Sequence, residues 1–122
     1  DMLPDIKQKT QIIFLDSDNI GGSISKFLDS DLQFYMFLHI RNGASCHNLD
    51  AARSRANCFI SESKCVIADA ADINMTTTVG YVAAKLEQYK HLTFVLVSND
   101  RFVDEIVPIV ESLDLKCETI KF

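Results

Sequence analysis

Two short runs in this chain stand out as apolar: residues 12–15, Ile-Ile-Phe-Leu, and residues 93–97, Thr-Phe-Val-Leu-Val, where only the opening Thr is polar. A strand buried on both faces reads this way, because each of its sides meets a covering layer. Each run ends in turn-forming residues, Asp16-Ser17-Asp18-Asn19 after the first and Ser98-Asn99-Asp100 after the second. A third run, residues 34–40, is rich in aromatics and predicts another strand. Residues 58–60, with 65–67 behind them, predict a weaker one. The tail, residues 115–120, alternates polar and apolar positions and predicts an edge strand.

Helical periods fill the intervals. Ser23 can cap a helix with Ile24, Phe27 and Leu28 on one face. Residues 48–56 predict a short helix with Leu49, Ala52 and Ala56 inward. The clearest helix spans 72–88, with Met75, Val79, Val82, Ala83 and Leu86 on its buried side. Phe102, Ile106, Ile109 and Leu113 form a further stripe, and Pro108 inside it predicts a kink or a division.

Strands alternating with helices imply a parallel sheet covered on both sides. The expected fold is a three-layer α/β/α sandwich with a central, mainly parallel sheet. Its 122 residues suit one domain, placed at 11–122, after a polar arm or tether at 1–10. A chain that opens on Asp1 rather than Met reads as a segment of a longer protein.

A net charge of −5 argues against tight electrostatic binding of nucleic acid, which draws on clustered Lys and Arg. It leaves room for an acidic pocket that becomes neutral when it takes a cation. Arg41, Arg53, Arg55 and Lys64 form a basic group that reads as solvated surface or as a guide for a strand of RNA. Cys46, Cys58, Cys65 and Cys117 contain no CxxC pair, so they read as structural thiols suited to the cytosol or nucleus. No apolar run reaches membrane-spanning length, and no signal-peptide pattern opens the chain. His39, His47 and His91 show no catalytic pairing, and Gly21-Gly22 reads as a turn rather than a phosphate loop.

The acids carry the chemistry. Ligands of open parallel sheets bind beyond the carboxyl ends of the strands. Asp16 and Asp18 follow the first strand, Asp100 follows the strong later one, and Asp69 and Asp72 open the helix between them. Turns and helix caps also favour Asp, so each acid alone reads as structural. Together they predict carboxylates from three segments meeting at one sheet edge. Hard oxygen ligands of that kind suit Mg2+ or Mn2+, which can activate water against a phosphodiester.

The residues Ile12-Ile13-Phe14-Leu15-Asp16-Ser17-Asp18-Asn19 resemble the first motif of PIN-like nuclease domains of the NYN branch, an Asp ending strand one with an Asn three residues on. Ala70-Ala71-Asp72-Ile73 is similar to that family's middle motif, and Val97-Ser98-Asn99-Asp100-Arg101-Phe102 to its third. The resemblance implies Asp16, Asp72 and Asp100 as catalytic metal ligands, with Asp18, Asn19, Ser98 and Asn99 supporting them. It implies Mg2+ or Mn2+ as cofactor and single-stranded RNA as substrate. More narrowly the chain is similar to the PIN-like domain at the C-terminal end of vertebrate zinc-finger SUMO ligases. That implies a nuclear parent protein with its own protein partners and with SUMO ligase activity outside this segment. Two departures stand out. Residues 75–78, Met-Thr-Thr-Thr, supply no acid about two turns into the middle helix, and Arg101 follows Asp100, with Asp104 a turn later. An active nuclease and a degenerate one kept for binding both fit.

Two other classes compete. Asp16 and Asp18 also fit the Asp-x-Asp of haloacid dehalogenase-like phosphotransfer enzymes, with Asp100 and Asp104 as their last acids and Lys85 or Lys90 as the required lysine. Against that, the usual Thr is lacking and the chain is short for a cap insertion. The last reading is a non-catalytic protein- or RNA-interaction module.

Overall fold

The computed structural model describes residues 9–17, 34–40, 49–64 and 70–122. The expectations for residues 1–8 of the arm, Asp18, Asn19, Gly21-Gly22, the helix at Ser23, Arg41, Cys46, His47, residues 65–67 and Asp69 lie outside these.

Five strands form one sheet: β1 (Gln11–Asp16), β2 (Phe34–Ile40), β3 (Cys58–Glu62), β4 (Thr93–Val97) and β5 (Lys116–Ile120). Their order is β3-β2-β1-β4-β5, and every neighbouring pair is parallel. The chain builds outward from β1 through β2 to β3, then crosses back to lay β4 on the other side of β1. The direction of winding therefore reverses between β1 and β4. Right-handed crossovers put helices of opposite winding on opposite faces. Accordingly α1 (Leu49–Arg53) covers one face, and α2 (Ala70–Ala83), α3 (Leu86–Tyr89) and α4 (Phe102–Glu111) belong to the other.

Alternation along the strands sorts side chains into two cores. Ile12, Phe14, Tyr35, Phe94 and Leu96 face α2 and α4 and pack with Met75, Val79, Val82, Val103, Ile106 and Val110. Ile13, Leu15, Met36, Leu38, Val95 and Val97 face the other way, toward Ala52 of α1. Register sets Phe59, Phe37 and Phe14 side by side. Phe14 stacks on Phe37 with ring centroids 5.5 Å apart and on Phe94 at 5.8 Å, while Phe37 meets Phe59 at 5.4 Å. This aromatic row lies one step below the carboxyl ends of the strands.

The runs at 34–40 and 93–97 form strands with the expected bounds, and 58–60 extends to Glu62. The helices depart more. α1 ends at Arg53, with only Ala52 buried; Ala56 is exposed beyond its end. The helix expected over 72–88 is broken into α2 and α3, and Leu86 is exposed. Fourteen residues of helix already span about 21 Å, at 1.5 Å each. That exceeds a five-residue strand of about 17 Å, so the chain must turn to start β4 beside Thr10. In α4 the buried face is Val103, Ile106 and Val110, whereas Ile109 and, beyond the end of the helix, Leu113 are exposed. The helix is apolar over two overlapping arcs, and periodicity does not choose between them. α4 also runs unbroken through Pro108, which lies on its solvent side. There water can take the carbonyl that the missing N–H leaves unbonded. Among the described residues, no helix is long and apolar enough to cross a membrane.

Candidate metal centre

The reversal of winding opens a crevice between the carboxyl ends of β1 and β4, the place where such sheets hold ligands. Asp16 is the last residue of β1 and is 1% exposed. Asp72 is half-buried in the first turn of α2, and Asp100 is exposed in the turn between β4 and α4. One ligand oxygen from each lies within 4.8 Å of the others. Ligands on opposite sides of a Mg2+ or Mn2+ ion, each at about 2.1 Å, stand about 4.2 Å apart. A small swing of the exposed Asp100 closes that difference. The three oxygens thus form a fitting donor set for one hard divalent cation.

Neighbouring groups hold these carboxylates in place. Ser98 Oγ donates to Asp16 Oδ2 at 3.1 Å and accepts the backbone N–H of Asp100 at 3.1 Å. One hydroxyl thereby links two of the three acids. Asn99 points elsewhere: its Oδ1 accepts the N–H of Phe122 at 2.7 Å and ties the turn to the end of the chain. Asp104 pairs with Lys121 Nζ at 3.3 Å and does not join the cluster. Lys121 also donates to the Asp100 carbonyl at 3.4 Å.

A polar row crosses the sheet at the same level. Asp16 pairs in register with His39, and His39 with Ser61. His39 is fully buried and stacks against Phe14 and Phe37 at 6.1 and 6.2 Å. Burial pushes its pKa from 6.5 down to about 3, with Asn74 acting weakly in the opposite direction. The Asn74 amide is engaged elsewhere, and neither ring nitrogen of His39 has a hydrogen-bond partner among the described residues. The ring is therefore neutral and structural. Ser17 Oγ donates to the His39 carbonyl at 2.8 Å and binds the end of β1 to β2.

Asn74 clamps α2 to the sheet. Its Nδ2 donates to the Ser61 carbonyl at 2.9 Å, and its Oδ1 accepts Ser61 Oγ at 2.9 Å and Thr78 Oγ1 at 3.3 Å. Because Asn74 lies two residues from Asp72, this clamp sets the height of that carboxylate above β1.

Asp16, Asp72 and Asp100, expected from sequence, are thus brought together, with Ser98 supporting them. The clamp of Ser61 and Asn74 and the row through His39 were not anticipated. Their signal was the period of two: residues 39 and 61 occupy the same face of their strands as residue 16. The two lysines named for the phosphotransfer reading lie away from these acids. Lys85 follows the far end of α2, more than about 15 Å along the axis from Asp72 at 1.5 Å per residue, and its Nζ rests over the Tyr81 ring at 5.3 Å. Lys90 precedes β4, at the opposite edge of the sheet from Asp16.

No protein-family model matches the chain, and no curated protein is significantly similar to it.

Proposed function

We propose that this chain is a PIN-like domain that binds Mg2+ or Mn2+ through Asp16, Asp72 and Asp100 and cleaves RNA. The observation that carries the reading is the convergence of three carboxylate oxygens within 4.8 Å at the point where the winding reverses. A divalent ion held there supplies charge to a phosphodiester oxygen and lowers the pKa of a water molecule. Asp16, buried and bonded to Ser98, is the fixed ligand; Asp100, at the surface, is the one able to adjust as a phosphate enters. The crevice between β1 and β4 orients the scissile group, and the aromatic row below closes its floor to water.

A second reading, binding without cleavage, is favoured by one observation. Residues 75–78 add no carboxylate, and Asp104 is paired with Lys121, so among the described residues three ligands stand where an active site of this kind often has more. The wider setting, a nuclear parent protein with SUMO ligase activity elsewhere, is supported by the sequence resemblance alone.

Calorimetric titration of Mn2+ into the chain and into Asp16→Asn and Asp100→Asn variants tests both readings. Binding to the parent chain, lost in both variants, together with Mn2+-dependent cleavage of single-stranded RNA, supports the nuclease. Metal binding without cleavage supports the second reading. No binding at millimolar Mn2+ overturns both.

A further inference from the structure

Two clefts flank the metal centre, one on each side of α2. The larger, about 460 Å³, lies between α2 and the end of β3 and is lined in part by Ser61, Glu62, Lys64, Ile73, Asn74 and Thr77. The smaller, about 250 Å³, lies between α2 and the start of α4 and is lined by Asp72, Ile73, Thr76, Thr77 and Phe102. Ile73 and Thr77 belong to both. They stand one turn apart on the helix and form the ridge between the clefts. Ile73 is 57% exposed, an unusual position for a β-branched apolar side chain beside a cluster of acids. Phe102, half-buried, forms the outer wall two residues after Asp100.

We infer that this ridge and its two clefts seat successive bases of a single-stranded nucleic acid whose phosphate lies at Asp16, Asp72 and Asp100; the inference rests on the function proposed above. Four observations carry it. The surface is continuous with the carboxylates, because Asp72 lines the smaller cleft. The ridge is uncharged, and α2 carries no charged residue after Asp72. A base presents an apolar face that packs on such a surface and on an aromatic wall. Cations flank the ridge, Lys64 beside Glu62 in the larger cleft and Arg101 beside Asp100, where flanking phosphates leave the carboxylates. A duplex hides the base faces that the ridge contacts, so a single strand fits and a duplex does not.

The test is fluorescence anisotropy of a labelled ten-nucleotide single strand with Ca2+ present, a cation that fills oxygen sites and activates water poorly. The 122-residue chain is compared with Ile73→Ser, Phe102→Leu and, as a control, Ile109→Ser, an equally exposed isoleucine on the outer side of α4. Mn2+ affinity is measured in parallel by calorimetry. The expected result is a loss of strand affinity of about tenfold in Ile73→Ser and Phe102→Leu, the scale of one lost base contact. Ile109→Ser and all Mn2+ affinities stay unchanged, and a duplex of the same sequence binds at least tenfold more weakly. Equal strand affinity in Ile73→Ser and the parent chain overturns the inference, as does a duplex bound as tightly as the single strand. A parent chain that binds Mn2+ but no strand overturns the base seat and leaves the metal centre standing. A chain that binds neither overturns both.

Discussion

Ser98 Oγ lies 3.1 Å from Asp16 Oδ2, although the two residues are 82 positions apart in the chain. The contact exists because β1 and β4 are parallel neighbours that end together, Leu15 pairing with Val97. The same hydroxyl accepts the N–H of Asp100, so its removal releases two of the three clustered acids at once. Partners of metal ligands commonly contribute ten- to hundredfold in affinity. Ser98→Ala is expected to weaken Mn2+ binding by about that factor while the circular dichroism spectrum stays the same. Unchanged affinity in calorimetry counts against a role for Ser98 in orienting Asp16.

Three carboxylates within 4.8 Å repel one another until a cation joins them, and one of the three is buried. Asp16→Asn removes part of this repulsion and keeps the shape. The metal-free variant is expected to melt a few degrees above the parent chain, on the order of 1 kcal/mol of added stability. Millimolar Mn2+ should raise the melting temperature of the parent chain and leave that of the variant in place. Differential scanning calorimetry with and without metal measures both shifts.

His39 makes stability depend on pH with a definite sign. In the unfolded chain its imidazole takes a proton near pH 6.5, whereas burial holds the folded pKa at about 3. The unfolded state therefore binds more protons across this interval, and the stabilising contribution is complete above pH 6.5 and erodes as pH falls toward 3. Between pH 7.5 and 5 the parent chain should lose about 2 kcal/mol more than a His39→Phe variant, whose ring suits the stack with Phe14 and Phe37. Urea unfolding at the two pH values gives the difference. Equal pH dependence in both proteins would mean that His39 is solvated.

The clamp of Asn74 on Ser61 has a cost when broken. Asn74→Ala leaves the Ser61 hydroxyl and carbonyl short of their partners in a half-buried place. The expected destabilisation is about 1–3 kcal/mol. Since the clamp also holds the turn that carries Asp72, Mn2+ affinity should fall in the same variant. A loss of stability with metal affinity intact would separate the clamp from the site.

Cys58 and Cys117 are free thiols. Burial raises the pKa of Cys58, against the pull of Arg55. For Cys117, burial first and then Glu111 and Glu118 push the value up to about 12. The thiolate is the reactive form, so both should resist alkylation at neutral pH. In a Cys46→Ser, Cys65→Ser variant, iodoacetamide is expected to modify them at least tenfold more slowly in the folded chain than in urea, read by mass spectrometry.

The strands were legible because a buried parallel strand needs apolar residues on both sides, and residues 12–15, 34–40 and 93–97 satisfy that need without reference to the rest of the chain. Asp16, Asp72 and Asp100 were legible for a similar reason: turns after strands and first turns of helices favour acids, and three in sequence suggested one edge. Local pattern could not choose which arc of α4 faces the sheet, since Val103 and Phe102 are equally apolar, nor where α2 stops, since residues 84 and 85 carry no breaker. Those were decided by the length of the sheet and the space above it. Distance between the acids was likewise a tertiary outcome. It depends on the strand order that sets β4 against β1, on Ser98 reaching Asp16 across that pairing, and on Asn74 holding α2 at the height of β3. Such contacts join residues far apart in the chain, and no periodicity along one segment encodes them.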